Sequence, residues 1–305
     1  MSNKWRFFWV ASFSLVIFFQ ACGMHSWEEL FISTADEKKM GREFDSLVRI
    51  GHKDVMSPGE SIFTPGSDPV KQEFYNYYQD RAKAIVGKIR PEDWEALLPT
   101  GYTKSNFFEF KIINSKTVNA FAVPGGYVYF YTAILKQFKS ESELMGVLGH
   151  EVGHVVLHHS RDRMVKAAGA SIIIDALLGD GIGALLASLG TSLWLQSHSQ
   201  ADESQSDSMG FYYTYQLGIS SEGLGEFFGR NLKSWNPTEK TCSLGDEKSV
   251  FDALSTHPPS CKRVMDNRAR IDRATQKGGQ NFSGVTDPTP SSSGKHFTDL
   301  VATAF

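Results

Sequence analysis

His150-Glu151-Val152-Gly153-His154 sets two imidazoles four residues apart with a carboxylate beside them. On a helix of 3.6 residues per turn such positions share a face, so both rings can reach one ion. Two histidines at this spacing suit Zn²⁺, and Glu151 is placed to take a proton from water that the ion makes acidic. A catalytic zinc site needs a third protein ligand and leaves a fourth position open. A third histidine in the same run would require Gly and His where Leu157 and Ser160 stand, so that pattern fails. Downstream, Glu203-Ser204-Gln205-Ser206-Asp207 lies in a strongly helical stretch with Glu203 and Asp207 on one face. Glu203 is the expected third ligand. Asp207 is expected to accept the spare ring N–H of a ligand histidine, which fixes the tautomer and raises the ring's basicity.

The elements that must position these groups follow from periodicity. Leu144, Val147, Leu148, Val152, Val155 and Val156 predict one long helix from Glu141 to about Lys166. Further helices are expected from Ser199 through Tyr215 and from Glu222 to Trp235. Upstream, from Glu28 to Trp94, Ser57-Pro58-Gly59 and Thr64-Pro65-Gly66 break a helical pattern into two helices joined by a loop. The β-branched and aromatic runs Phe107 to Ile113 and Tyr127 to Tyr131 read as strands of a small sheet. Asn119 to Val123, ended by Pro124-Gly125-Gly126, reads as an edge strand, because proline cannot donate to a ladder. An extended peptide could add to that edge, which makes Asn119, Ala120, Phe121 and Ala122 the expected substrate-binding residues. Ala167 to Leu195 is apolar, but Asp175 and Gly179-Asp180-Gly181 leave runs short of the ~20 residues a membrane span needs. Paired helices, buried or on a membrane surface, are expected there.

Among the other histidines, His158 and His159 fall at the end of the long helix, where a partly cationic ring suits the dipole, and are not expected to be ligands. His25, His52, His198 and His296 have no partner pattern and are expected at the surface. The first residues differ in kind: Lys4 and Arg6 precede the apolar run Phe7 to Phe19, followed by Gln20-Ala21-Cys22-Gly23. This is the pattern of an export signal. The 305-residue chain carries a formal charge of −3, which supplies no basic field for nucleic acid and sets that class of partner aside. Residues 23–275 are expected to form one metal-binding domain with a helical N-terminal part. The segment 276–305, rich in Gly and Ser, reads as a flexible tail.

The stretch from about Asn119 to Arg268 resembles the M48 family of zinc metallopeptidases. The resemblance rests on Asn119-Ala120-Phe121-Ala122-Val123-Pro124-Gly125-Gly126, on Glu143-Leu144 leading into the zinc motif, on Glu203 with Asp207, and on Thr256-His257-Pro258-Pro259 followed by Arg263. Ser206 replaces the family's usual Ala, and Gly146 and Gly149 stand where Ala is common, which lowers helix propensity. The resemblance implies an α+β, zincin-like (gluzincin) fold, mainly helical with a small sheet. It implies one Zn²⁺ per chain and endopeptidase action on unfolded or damaged envelope proteins. A chaperone-like zinc-binding envelope lipoprotein is the alternative, against which the intact Glu151 argues. His257 is implied to lie near the active site, stabilising an oxyanion or regulating the metal, and Arg263 either pairs structurally or touches substrate. Ala21-Cys22 resembles the lipobox of bacterial lipoproteins, although Phe19 and Gln20 depart from it. Lipidation at Cys22 would anchor the mature chain to a membrane. Gly23 favours the periplasmic face of the outer membrane over the inner membrane or the soluble periplasm. Cys242 and Cys261 would then be an even pair in an oxidising compartment, paired as a disulfide or buried as two thiols.

Overall fold

Capping and periodicity set the helices of the computed structural model, which describes residues 32–194, 197–245, 256–276 and 290–305. The export segment, Cys22 and His25 lie outside the described residues. Helix α1 (Thr34–Arg49) opens on a Ser33–Asp36 capping box and buries Met40, Phe44 and Val48, each four residues from the last. The short strand β1 (Ser61–Ile62) precedes α2 (Pro69–Val86), whose cap Asp68 accepts from the Val70 and Lys71 N–H groups. Helix α3 (Pro91–Leu97) completes this part.

Strands β2 (Glu109–Asn114), β3 (Ala120–Val123) and β4 (Tyr127–Tyr131) join β1 in one sheet of order β1-β2-β4-β3. β2 and β4 run parallel; the outer pairs are antiparallel. β3 therefore lies at an edge, as expected, but that edge is not open along its length. The Tyr131 N–H donates to the Asn119 carbonyl at 3.0 Å, so the ladder's alternation turns the main-chain groups of Ala120 and Ala122 outward. Ser160 Oγ donates to the Ala122 carbonyl at 2.7 Å. The expected pairing surface is thus shortened to the Ala120 end of the strand.

Helix α4 (Thr132–Gln137) leads to α5 (Glu141–Val156), every residue of which is buried. The single helix expected as far as Lys166 is broken. Leu157 caps α5, His158 adopts left-handed φ of 56°, and α6 (His159–Ala168) starts afresh. His158 Nδ1 stands 2.7 Å from Glu37 Oε1 and Ser160 bonds the sheet edge, so tertiary contacts turn the chain where no Gly or Pro marks the turn. α7 (Ala170–Leu178) and α8 (Ile182–Trp194) form the expected pair. Ile173, Leu177, Ile182 and Leu186 are buried in one cluster with Met40, Phe44 and Val48 of α1, while Ile172 and Leu178 are exposed. Among the described residues no helix is long and apolar enough to cross a membrane.

Helix α9 (Gln200–Leu217) begins with a Ser199–Asp202 capping box, and α10 (Glu222–Arg230) and α11 (Cys261–Gln276) follow. The last helix, α12 (Phe297–Ala304), overturns the expectation of a flexible tail for its part of 276–305. Phe297, Leu300, Val301 and Ala304 are buried at helical spacing, and the Phe297 ring lies 6.2 Å from those of Tyr77 and Phe138. Residues 277–289 lie outside the described residues.

The glycines of α5 owe their place to close packing. A Cβ at Gly149 would stand 2.9 Å from Gly210 Cα on α9, and one at Gly146 would stand 2.9 Å from Leu224 on α10. Backbone meets backbone there, so α5 and α9 lie closer than alanine would allow. Gly149→Val should destabilise the fold by about 1–3 kcal/mol through overpacking. Urea unfolding measures this, and an unchanged midpoint would contradict the packing account.

Candidate metal centre

α5 and α9, held together by those glycines, bring His150, His154 and Glu203 to one point, and the segment before α11 adds His257. All four side chains are buried, with one donor atom of each lying within 4.8 Å of the others. His150 Nε2 and His154 Nε2 are 3.0 Å apart. Glu203 oxygens stand 3.5 Å from the first and 3.4 Å from the second.

What backs the two rings decides their protons. His150 Nδ1 is 2.9 Å from Asp207 Oδ1, at hydrogen-bond distance though off the ideal angle. A carboxylate there draws the ring proton to Nδ1 and leaves the Nε2 lone pair facing the cluster. His154 is backed by a relay. His159 Nε2 lies 3.0 Å from the Gln205 side-chain oxygen, and its Nδ1 lies 2.9 Å from His154 Nδ1. With the Gln205 oxygen so oriented, His159 donates from Nε2, accepts from His154 at Nδ1, and leaves the His154 Nε2 lone pair facing inward. His159 therefore belongs to the site, contrary to the expectation of a helix-end residue.

The donor set fits a divalent cation. Two inward-facing ring nitrogens and a carboxylate converge in a buried space, the donor set that Zn²⁺ takes, and the His257 ring stands among them with Nδ1 3.1 Å from His150 Nε2. Burial pushes the His154 imidazole well below the ordinary histidine range. Burial alone would raise the Glu203 carboxyl, but Arg263, His257 and His150 outweigh it and hold it well below the carboxylate range. A neutral imidazole and an ionised carboxylate are the forms that bind metal. Glu151 is fully buried beside the cluster, and neither of its oxygens accepts a hydrogen bond, although His257 Nε2 lies 3.1 Å from Oε1. His257 Nδ1 is 2.9 Å from Glu203 Oε1, so this ring spans both carboxylates. Burial opposes its charge, but Glu151 and Glu203 prevail and push it up to about 10.

Arg263 resolves as a structural ion pair. Its Nε and one terminal nitrogen donate to Asp207 at 2.9 and 2.6 Å, and the other terminal nitrogen stands 2.7 Å from Glu203 Oε2 and donates to the Pro258 carbonyl at 3.0 Å. The guanidinium lies 3.9 Å over the Phe228 ring. One arginine thus fixes both carboxylates of α9 and the segment carrying His257. Asn119 is fully buried, and its side-chain oxygen accepts from Thr256 Oγ1 at 2.6 Å, which ties the edge strand to that same segment. Ala120, Ile134, Val147, Phe227 and Phe228 wall a small apolar pocket against His150, Glu151 and His257. Cys242 and Cys261 are joined by a disulfide at the first residue of α11.

His198 corrects a further expectation. Placed at the surface by the sequence reading, its ring instead stacks on His154, with centroids 3.9 Å apart. It occupies the residue before the α9 cap, a position without periodic or motif signal. His52 and His296 stand apart from the cluster, half-buried and exposed respectively.

A small sheet with an edge strand beside a His-Glu-x-x-His helix, and a carboxylate brought from a second helix, define a zincin-like metallopeptidase. The sequence profile of Peptidase family M48 matches residues 95–271, and the chain belongs to that family. It is similar to the metalloprotease LoiP of Escherichia coli (strain K12), 32% identical over 170 residues, covering 53% of this chain and 62% of LoiP. It is 27% identical over 207 residues to the mitochondrial metalloendopeptidase OMA1 of Arabidopsis thaliana, covering 65% of this chain and 40% of that protein. A putative beta-barrel assembly-enhancing protease of Vibrio cholerae is 29% identical over 216 residues, covering 67% of this chain and 40% of its own length. The chain thus spans between 40% and 62% of the length of these relatives.

Proposed function

We propose that the chain is a zinc-dependent endopeptidase, its single Zn²⁺ held by His150, His154 and Glu203, that cleaves unfolded or damaged proteins of a bacterial envelope. The observation that carries this reading is the Glu151 carboxylate, fully buried and accepting no hydrogen bond beside three convergent ligand side chains. Zinc bound there supplies Lewis acidity toward a peptide carbonyl and lowers the pKa of water. Glu151 takes the proton of the attacking water on a carboxylate oxygen and passes it to the departing amine, so no covalent link to the enzyme forms. Asp207 and His159 hold the ligand rings in the tautomers that direct Nε2 inward. His257 donates to a substrate oxygen when its ring leaves Glu151, and closes the cluster when it does not. The Ala120 end of β3, with Asn119, Phe121 and Ala122 behind it, aligns the peptide backbone.

The relative named for β-barrel assembly supports an envelope substrate class. The pattern before Gly23 supports a lipid anchor on Cys22 and the periplasmic face of the outer membrane. Mass spectrometry of the mature N-terminus is expected to find a lipidated Cys22, and an unmodified start elsewhere would remove the anchor. The full chain incubated with casein should cleave it, lose activity in a chelator and regain it with zinc. Cleavage that persists through chelation would refute the metal-dependent reading.

A further inference from the structure

His198 carries a group that nothing described so far uses. Its Nδ1 is buried and has no hydrogen-bond partner, a state that costs stability unless a partner arrives. The ring is not loosely placed. It stacks on His154 at 3.9 Å with planes 23° apart, and lies 5.5 Å from the His257 ring with planes 16° apart. Its main-chain N–H donates to the Thr256 carbonyl at 3.3 Å, which joins the start of the Glu203 helix to the segment bearing His257. Two ring contacts and one main-chain bond thus hold an unsatisfied nitrogen against the metal-ligand cluster.

The surroundings indicate what that nitrogen meets. Arg163 and the His257 ring both bring positive charge to bear on His198, opposed by Glu203. Of the neighbouring carboxylates, Glu203 pairs with His257 and Arg263, Asp207 with Arg263, and Glu151 faces the His257 ring. A partner coming from outside and bearing partial negative charge fits, and a peptide carbonyl oxygen is such a group.

We infer that His198 is a further catalytic residue of this centre, whose Nδ1–H donates a hydrogen bond to the carbonyl oxygen of the bound peptide as that oxygen gains charge. The inference rests on the peptidase reading above. A donor aimed at developing charge in a water-poor site contributes most in the transition state, so its loss acts on tetrahedral species more than on substrate.

The test uses the full, zinc-loaded chain and a peptide phosphinate, whose tetrahedral P–O⁻ group mimics the charged oxygen. Wild type, His198→Phe and His198→Asn are compared by calorimetry, with zinc content measured on each. Phe keeps the stacking on His154 and lacks the donor, whereas the Asn amide nitrogen can stand near the place of Nδ1. His198→Phe is expected to retain its zinc and to bind the phosphinate about 100-fold more weakly, with His198→Asn recovering part of the loss. Equal affinity in His198→Phe, loss of its zinc, or a wild type that fails to bind would overturn the inference. A wild type that binds the phosphinate through His198 yet cleaves no casein would sink the proposed function and with it the catalytic role of His198, leaving an anion contact alone.

Discussion

Glu151→Gln should keep its zinc and lose about 10²–10⁴-fold in kcat, the range attributed to a positioned general base. The amide is nearly isosteric with the carboxylate and cannot accept the proton of the attacking water. His150, His154 and Glu203 are untouched by the change, so metal content and turnover should separate. The ring beside Glu151, that of His257, is held protonated by the two carboxylates it spans and so offers no alternative base. Assaying casein cleavage alongside metal analysis decides the matter, and wild-type turnover in Glu151→Gln would exclude this residue as the base.

Asp207→Ala should act on both the fold and the metal. Asp207 is 2% exposed, and although burial would raise its carboxyl, the Arg263 guanidinium outweighs this and holds it at about 2. Removing it strips the buried Arg263 of its two bonds to that carboxylate, the kind of change that costs about 3–5 kcal/mol. Glu203 and the Pro258 carbonyl still face Arg263, which places the expected loss near the lower bound, about 3 kcal/mol. Denaturant unfolding in the presence of a chelator isolates that term. Separately, His150 loses the acceptor behind its ring, and zinc affinity should fall about 10–100-fold, read by competition with a zinc indicator. Asp207→Asn keeps the shape and removes the charge, so it should fall between the two. Unchanged stability together with unchanged affinity would show that Asp207 supports neither neighbour.

The grouping of the candidate ligands was legible in the sequence because helical spacing is a local rule: His150 and His154, and again Glu203 and Asp207, face together by virtue of 3.6 residues per turn. The strands and the edge position of β3 were legible for a similar reason, through β-branched runs and the proline that ends one of them. What sequence reasoning missed was set by tertiary contacts. The break at His158 follows from Glu37 and the sheet edge, not from a residue that disfavours helix. That break swings His159 back behind His154, so a residue assigned to a helix end becomes part of a relay. His198 reaches the centre only because the chain before α9 lies across the cluster, which no periodicity encodes. The glycines of α5 read as weak helix formers, whereas their meaning lies in the partner Gly210, sixty-odd residues away. Helix α12 did carry a signal, since Phe297, Leu300, Val301 and Ala304 follow helical spacing, but the Gly- and Ser-rich composition ahead of it hid the pattern.

One zinc ion is expected between α5 and α9, on His150, His154 and Glu203. Counting the metal per chain in the purified full-length protein, by elemental mass spectrometry, tests it most directly, with His154→Ala and Glu203→Ala measured alongside. The wild type is expected to carry about one zinc per chain and either variant close to none, because two remaining side chains fall short of the three that a catalytic zinc site needs. Zinc bound at the wild-type level in both variants would contradict it.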